Sequence, residues 1–235
     1  MRSRPGPEHR EHAVDWDALR LSLQIGLTST ALAVVVGVPL AWWIARLRSG
    51  WREAASVLVL VPMVLPPTVL GYYLLQAVGR RSFIGSALDS AFGFSFVFDW
   101  TGAVLAAFVV SLPFLVRTVQ AGFESIDRVY EEAARTLGRG ELSIFLTVAV
   151  PLAWRSVLAG VALALGRAIG EFGATLMVAG NVPGRTRTMS IAIYEAVQTG
   201  RASEAQVLAV TLTLATLGLL VAVGLATRRG VPSWR

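Results

Sequence analysis

The sequence predicts an all-α fold: a polytopic membrane bundle of about five transmembrane helices, with a sixth allowed. Hydrophobic residues make up 54% of the 235 positions and charged residues only 15%, whereas charged residues are roughly 25% of a soluble domain. The mean hydropathy is +0.62. Five apolar runs, each long enough for the roughly 20 residues that cross a bilayer, alternate with polar segments rich in arginine.

Composition excludes several chemistries. All 21 basic residues are arginines, so a phosphate-binding G-x-x-x-x-G-K motif cannot occur, and any ATP hydrolysis would belong to another chain. There is no cysteine, which excludes a disulfide, a thiolate metal site and a cysteine nucleophile. His9 and His12 stand together in a polar tail and are expected to be solvated. No catalytic residue, no metal site and no nucleic-acid surface is predicted.

The chain opens with a polar tail, 1–18, followed by a first apolar run at 19–45. This run is longer than the core of a signal peptide and lacks a small-residue cleavage site, so it predicts a retained helix. It ends in Trp42 and Trp43, and arginines follow at positions 46, 48 and 52. Interfacial tryptophans followed by arginines indicate a cytoplasmic loop. The N-terminus is therefore expected outside the cell.

The second apolar run, 53–78, is interrupted by Pro62, Pro66 and Pro67. Proline removes a backbone hydrogen bond and frees a carbonyl, which a membrane tolerates where the helix faces protein or water. A simple kink is the first interpretation, and the lining of a pathway is the second. The loop that follows is placed outside the cell, and a sixth crossing would fall within 79–99 or 172–198.

The remaining spans are predicted at 100–120, 144–180 and 204–226. The middle one is too long for a single straight crossing. Between the spans lie a cytoplasmic polar loop, 121–143, and a second external segment, 181–203. The membrane domain thus covers 19–227, and five crossings leave the C-terminal tail, 228–235, in the cytoplasm.

The polar loop is predicted to contain a short amphipathic helix. Asp127 can accept the free N–H groups of its first turn, and Gly138 can adopt the left-handed conformation that ends it. Pro151 breaks the chain before the next apolar run. One apolar stripe at steps of three and four is expected, made of Phe123, Ile126, Tyr130, Ala134 and Leu137. A helix of this kind is shaped to dock into a groove on a partner.

Arg167 and Glu171 lie one helical turn apart inside the fourth apolar run. Because a charge at membrane depth is costly, both are expected to pair or to face water. An ion pair that fixes the helix is the first interpretation, and an arginine that attracts an anion is the second. Gly166 and Gly170 have the spacing of a close-packing face, and Gly173 is a candidate hinge.

Arg80, Arg81, Arg185 and Arg187 fall in the segments that are placed outside the cell. Together they predict a positive external mouth, suited to capturing an oxyanion or to docking an acidic partner protein. Ordinary anchoring of loop arginines at the membrane interface is the alternative.

The polar loop also carries a family signature. E-A-A at 132–134, G at 138 and V-x-V-P at 148–151 resemble the EAA loop of bacterial ABC importer permeases, with the spacings of that loop. Nearly the whole chain resembles molybdate ABC transporter permeases. This wider resemblance is carried by L-P-P-T-V-L-G-Y-Y (65–73), G-R-R-S-F-I-G (79–85), E-E-A-A-R-T-L-G (131–138), G-R-A-I-G-E-F-G-A-T (166–175) and P-G-R-T-R-T (183–188).

The resemblance implies the type I importer fold and a permease that moves molybdate, with sulfate and tungstate as alternatives. It implies a second copy of the chain, cytoplasmic subunits that bind ATP and Mg, an extracytoplasmic molybdate-binding protein and surrounding lipid, with no cofactor on this chain. Two other classes stay open: an ion-coupled secondary transporter that uses Arg167 and Glu171, and a membrane scaffold that transports nothing.

The resemblance also assigns site residues. An ATPase-docking loop is expected at Tyr130, Glu131, Glu132, Ala133, Ala134, Gly138 and Pro151. A translocation pathway is expected at Arg167, Gly170, Glu171, Gly173 and Thr175.

Overall fold

The computed structural model describes residues 15–229, with side chains described for 15–225. Over this range the chain is helical and contains no β-strand, which confirms the predicted all-α class. A π-helical turn, Phe145–Ala149, joins α7 to α8. In chain order the helices are α1 (Trp16–Arg46), α2 (Ser49–Val64), α3 (Pro67–Val78), α4 (Phe83–Phe92), α5 (Trp100–Glu124), α6 (Val129–Thr136), α7 (Glu141–Ile144), α8 (Val150–Leu152), α9 (Trp154–Ile169), α10 (Gly173–Ala179), α11 (Met189–Gln198) and α12 (Ala202–Arg229).

The predicted tails fall mostly outside this range. His9 and His12 lie outside the described residues, as does 230–235 of the C-terminal tail. The first helix begins at Trp16, three residues before the predicted start of the membrane domain.

Three helices are long and apolar enough to cross a membrane: α1, α5 and α12. Two bent pairs, α2 with α3 and Glu141–Leu152 with α9, each pass the same test together, which gives up to five spans and confirms the predicted polytopic class. The segments where a sixth crossing was allowed hold only short helices. α4 and α11 have ten residues each and α10 has seven, too few for the hydrocarbon core.

The proline-rich span is more than kinked, because its two halves meet at 105°. The break falls where sequence and sterics require it. Pro66 and Pro67 lack the N–H group that would continue the helix, and a proline pushes the residue before it into extended geometry. Leu65 is extended accordingly, with φ −68° and ψ 138°. Pro62 remains inside α2.

The chain folds into two compact units. Unit 1 contains the start of α1 up to Ile25, Pro67–Ala106 and Ile169–Leu219. Within it α3 and α10 pack closely, and two glycines permit the approach. A Cβ on Gly71 would lie 2.7 Å from the Met177 Cβ, and a Cβ on Gly173 would lie 2.9 Å from the Pro67 Cβ.

Unit 2 contains Gly26–Pro66, Ala107–Ala168 and the chain from Leu220 onward. Its apolar core lies between the second half of α1, the second half of α5 and the segment that follows α7. The largest fully buried side chains there are Ile44, Leu115, Ile144, Val116 and Val119. The polar loop with α6 is connected to this unit at both ends.

Candidate functional site

The ends of α6 are built as the sequence predicts. The Asp127 Oδ1 accepts the Val129 N–H at 3.0 Å. Gly138 has φ +78°, which confirms the predicted left-handed residue. The Arg139 N–H donates to the Ala134 carbonyl at 3.1 Å and the Gly138 N–H to the Arg135 carbonyl at 2.9 Å, the paired bonds of a Schellman ending.

The predicted apolar stripe along this helix is wrong. α5 ends at Glu124 and α6 begins only at Val129, so the stripe does not lie on one helix. Tyr130 is 56% exposed and Leu137 is 83% exposed, whereas Glu131 is 4% exposed and Ala134 is 8% exposed. The buried face of α6 therefore contains a carboxylate, and most of its apolar side chains face outward.

Glu131 is buried because it binds Arg46, the last residue of α1. The Arg46 Nε donates to Glu131 Oε2 at 2.9 Å, and Nη2 forms an ion pair with Oε1. Nη1 donates to the Trp42 carbonyl at 2.9 Å. Sequence reasoning used Arg46 only as a topology marker. Its partner is 85 residues away, so no local pattern could have revealed the pair.

Arg135 extends this charged site toward α7. Its guanidinium lies 3.7 Å from Glu131 Oε2 and makes two hydrogen bonds to Glu141, at 2.6 and 3.0 Å. The hydrogen bond to Glu141 raises the pKa of Arg135 above its ordinary value. An open pocket of about 460 Å³ beside α6 is lined by these residues and by the exposed Glu132. The site contains fixed charges and no nucleophile paired with a base.

Three of the four predicted mouth arginines meet in unit 1. Arg80 and Arg81, which follow α3, and Arg185 line one open pocket of about 650 Å³, with Asp99 and phenylalanines of the loop before α5. The Arg185 Nη2 lies 3.8 Å from Asp99 Oδ2. Within the part of the chain that the structure describes, neither Arg80 nor Arg81 lies within ion-pair distance of a carboxylate. The pocket therefore carries excess positive charge.

Arg187 is not part of that pocket. Its Nη2 lies 3.0 Å from Glu195 Oε2, and its Nε donates to the Asn181 Oδ1 at 3.0 Å. These contacts brace the loop between α10 and α11. The structure therefore separates Arg187 from the other three arginines.

The predicted pathway residues cluster at the break between α9 and α10. Arg167 is in the last turn of α9, which ends at Ile169, and Glu171 precedes α10, so the two do not share one continuous helix. The Glu171 Oε1 accepts the Ala174 N–H at 2.8 Å and so caps α10. Thr175 is buried, and Gly170 is exposed.

Of the glycines near this break, Gly166 differs from its predicted role, whereas the hinge role of Gly173 stays a prediction. Gly173 is buried, and its missing side chain is what permits contact with Pro67. A Cβ on Gly166 would meet only Leu220, at 3.8 Å, which is ordinary contact, so the predicted close-packing face is not required there.

Broken membrane-spanning helices, with an exposed charged helix between spans, define a polytopic membrane protein. The family model described as "Binding-protein-dependent transport system inner membrane component" matches residues 37–233. The chain therefore belongs to this family. It is a non-catalytic, multi-pass subunit of the inner membrane.

Curated relatives align over most of their length. The chain is 39% identical to "Molybdenum transport system permease protein ModB" of Escherichia coli (strain K12), over 90% of this chain and 93% of that protein. It is 40% identical to the ModB protein of Azotobacter vinelandii, over 83% and 86%. It is 39% identical to "Putative molybdenum transport system permease protein YvgM" of Bacillus subtilis (strain 168), over 77% and 79%.

Solved structures agree on the fold. A bacterial ABC transporter that imports the acidic polysaccharide alginate matches with a TM-score of 0.68 at 15% identity, over 91% of this chain and 80% of that one. The MetNI methionine ABC transporter, in inward-facing conformations, matches with a TM-score of 0.67 at 17% identity, over 96% and 97%. The chain thus has the fold of an ABC importer permease.

Proposed function

We propose that this chain is the permease subunit of an ATP-driven importer that carries molybdate into the cell after delivery by an extracytoplasmic binding protein. The observation that carries the proposal is the alignment with molybdenum transport permeases along 90% of this chain. No observation favours sulfate or tungstate, so these anions enter only as outcomes of the test. Membership in a binding-protein-dependent family argues against a self-sufficient secondary transporter and against a scaffold.

ATP binding and hydrolysis belong, in this proposal, to cytoplasmic subunits that dock on α6. The helix presents Tyr130, Glu132, Ala133 and Leu137 to solvent. An exposed helix with apolar anchors is a common way to fill a groove on a partner. The left-handed Gly138 ends the helix sharply, and Pro151 marks the return to the membrane. The lack of lysine means that this chain cannot supply a phosphate-binding loop of the G-x-x-x-x-G-K kind.

We place α6 in the cytoplasm and the arginine pocket outside. The polar segments on the same side of the spans as α6 carry eight arginines, at residues 46, 48, 52, 117, 128, 135, 139 and 155, whereas the two segments on the other side carry five, at residues 80, 81, 185, 187 and 201. This bias is the usual mark of the cytoplasmic side. With α6 inside, five crossings put the N-terminus outside and the C-terminus in the cytoplasm.

A second copy of the chain completes the pathway in this proposal. α12 supports such an arrangement because only 6% of the residues in its most apolar stretch are buried within the chain. Leu214, Leu217 and Val221 are exposed and can contact lipid or a neighbouring copy. The pathway itself is assigned to Arg167, Gly170, Glu171, Gly173 and Thr175 beside the break after α9. Closure of the ATPase subunits would move α6 and open the pathway outward.

The external pocket with Arg80, Arg81 and Arg185 is proposed as the entrance. Its positive charge would attract an oxyanion or the acidic surface of the binding protein. Arg187, first grouped with it, is assigned to bracing the neighbouring loop through Glu195.

The test is reconstitution of this chain with its cognate ATPase and binding protein in vesicles, followed by measurement of molybdate uptake. ATP-dependent uptake that resists excess sulfate is the expected result. Competition by sulfate would reassign the substrate to sulfate, and competition by tungstate would be measured in the same series. Uptake without the ATPase would overturn the importer assignment.

A further inference from the structure

We propose that Arg46 and Glu131 form a latch that fastens α6 to the end of α1, so that a displacement of α6 is transmitted to a membrane-spanning helix. The inference rests on the proposed role of α6 as the docking helix. Arg46 is the last residue of α1, and Glu131 lies in the first turn of α6. In this role both are positioning residues, because they act through the helices that they join.

The geometry fixes orientation as well as distance. Nε and Nη2 of Arg46 face the two oxygens of Glu131, with the Nε hydrogen bond at 2.9 Å. A guanidinium and a carboxylate joined by two parallel contacts resist rotation about either bond. The third nitrogen, Nη1, is held by the Trp42 carbonyl one turn back in α1. Each of the three guanidinium nitrogens of Arg46 therefore has a partner.

Aromatic rings hold the arginine from the sides. The Arg46 Cζ lies 4.2 Å from the centre of the Trp42 ring and 5.8 Å from that of Phe123. Trp42 in turn packs against Phe145 with ring centres 5.0 Å apart. Phe123 is at the end of α5, before α6, and Phe145 begins the π-helical turn after α7. The latch thus sits among the chain segments that enter and leave the docking loop.

The neighbouring residues Glu131 and Glu132 of α6 differ in burial and in proposed role. Glu131 has a side chain that is 5% exposed and is held by Arg46, whereas Glu132, which carries the E of the E-A-A signature, is exposed. The signature carboxylate is accessible to a partner, and its neighbour anchors the helix from the inside. A residue outside the signature therefore supplies the mechanical connection.

The exposed ion pair between Arg135 and Glu141 lacks these properties and provides a matched control. Arg135 and Glu141 have side chains that are 40% and 58% exposed. An exposed pair of this kind contributes little to rigidity, because solvent screens it and both side chains keep their freedom. Removing the Glu141 charge makes the same chemical change in the loop and leaves the direct contacts between Arg46 and Glu131 in place.

The first experiment measures molybdate taken up per ATP hydrolysed in vesicles that contain the complete importer. Glu131→Gln keeps the shape of the side chain and removes its charge. We expect uptake per ATP to fall by about fivefold or more while hydrolysis continues, since the docking helix then moves without α1. Glu141→Gln should stay within about twofold of the unsubstituted chain. An unchanged ratio in Glu131→Gln would overturn the latch.

A double variant separates a pair from two independent residues. If Arg46 and Glu131 act through each other, Arg46→Gln with Glu131→Gln loses no more coupling than the worse single variant. If the two losses multiply, the residues act separately and the proposal is wrong. Should Glu131→Gln fail to assemble, Arg46→Lys serves in its place, because lysine keeps the charge but cannot make the double contact.

A second measurement does not depend on which solute is carried. The chain has no cysteine, so spin labels can be placed at Arg48→Cys and Thr136→Cys, two exposed positions beside the latch. In the complete complex we expect a narrow distribution for the label distance within one chain, the same with and without ATP, and a broad distribution for that distance in Glu131→Gln. A narrow distribution in both would overturn the latch. Failure of molybdate uptake by the unsubstituted chain would instead reject the proposed substrate.

Discussion

Arginine serves two different purposes in the two units of this molecule. In unit 2, Arg46 makes a double contact with Glu131, whose side chain is 5% exposed. In unit 1, Arg185 is 70% exposed and only approaches Asp99, at 3.8 Å. The residue type and the kind of partner are the same, while burial and geometry differ.

The difference shows what each environment allows an arginine to do. A buried double contact loses side-chain freedom and gains a fixed direction, so it can carry force between helices. An exposed arginine remains mobile and screened, which suits reversible attraction of an anion or an acidic surface. On this view the charged residues near α6 fix the arrangement of the helices, and the arginines of the pocket attract incoming anions or acidic proteins. Four variants test these assignments.

The largest effect is expected for Glu131→Ala. Removing one member of a buried ion pair leaves the other charge uncompensated, at a cost of about 3 kcal/mol in the free energy of unfolding. Thermal unfolding of the purified protein in detergent measures the loss. Asp99→Asn is the matched control, because it removes the charge beside an exposed arginine and keeps an oxygen that can accept the Thr101 N–H at the start of α5; it should cost about 0.5 kcal/mol. Equal losses in the two variants would erase the distinction between the units.

Gly138→Leu comes next and probes the exposed face of α6. A residue with a side chain at φ +78° is strained by about 1–2 kcal/mol, although no other atom of the described residues lies close enough to clash. We expect uptake to fall by about tenfold while ATP hydrolysis and membrane abundance stay near normal. Gly140→Leu is the control, since that glycine also has open space and a negative φ of −74°. Normal uptake by Gly138→Leu would reject α6 as the docking element.

A smaller effect is expected from neutralising the pocket with Arg80→Gln, Arg81→Gln and Arg185→Gln together. Loss of steering should lower the rate of uptake at limiting binding protein by about tenfold or less, and the difference should shrink as salt is added. Initial rates at low and high ionic strength measure it. Arg187→Gln should not reproduce the salt-dependent change, because Arg187 is engaged with Glu195. A loss that is independent of salt would contradict steering.

The smallest effect is expected for Asp99→Asn, which removes the carboxylate that lies beside Arg185. The pocket then gains net positive charge, so uptake at low ionic strength should rise by about twofold or less and return to normal at high salt. Initial rates over a salt series show the trend. A decrease in uptake at low salt would mean that Asp99 holds Arg185 in its working position.

Much of the architecture was predictable because it depends on local chemistry. The apolar runs predicted the spans, and the consecutive prolines at 66 and 67 predicted an interruption at the correct place, though as a kink rather than a 105° break. The ends of α6 followed from Asp127 and Gly138. Periodicity failed for the faces of α6, since a stripe assumes that apolar residues are the buried ones. In α6 the buried residue is Glu131, because it pairs with Arg46, which is distant in sequence.

The sequence by itself determined the class of protein, the approximate spans and the start and end of the docking helix. Hydropathy, proline sterics and helix capping act over a few residues, so they can be read along the chain. Only the tertiary structure decided that Glu131 meets Arg46, that Arg80 and Arg81 share a pocket with Arg185, and that Arg187 does not. These pairings join segments far apart in sequence, and they depend on which helices pack together. Packing is a property of three-dimensional shape, which local composition does not specify.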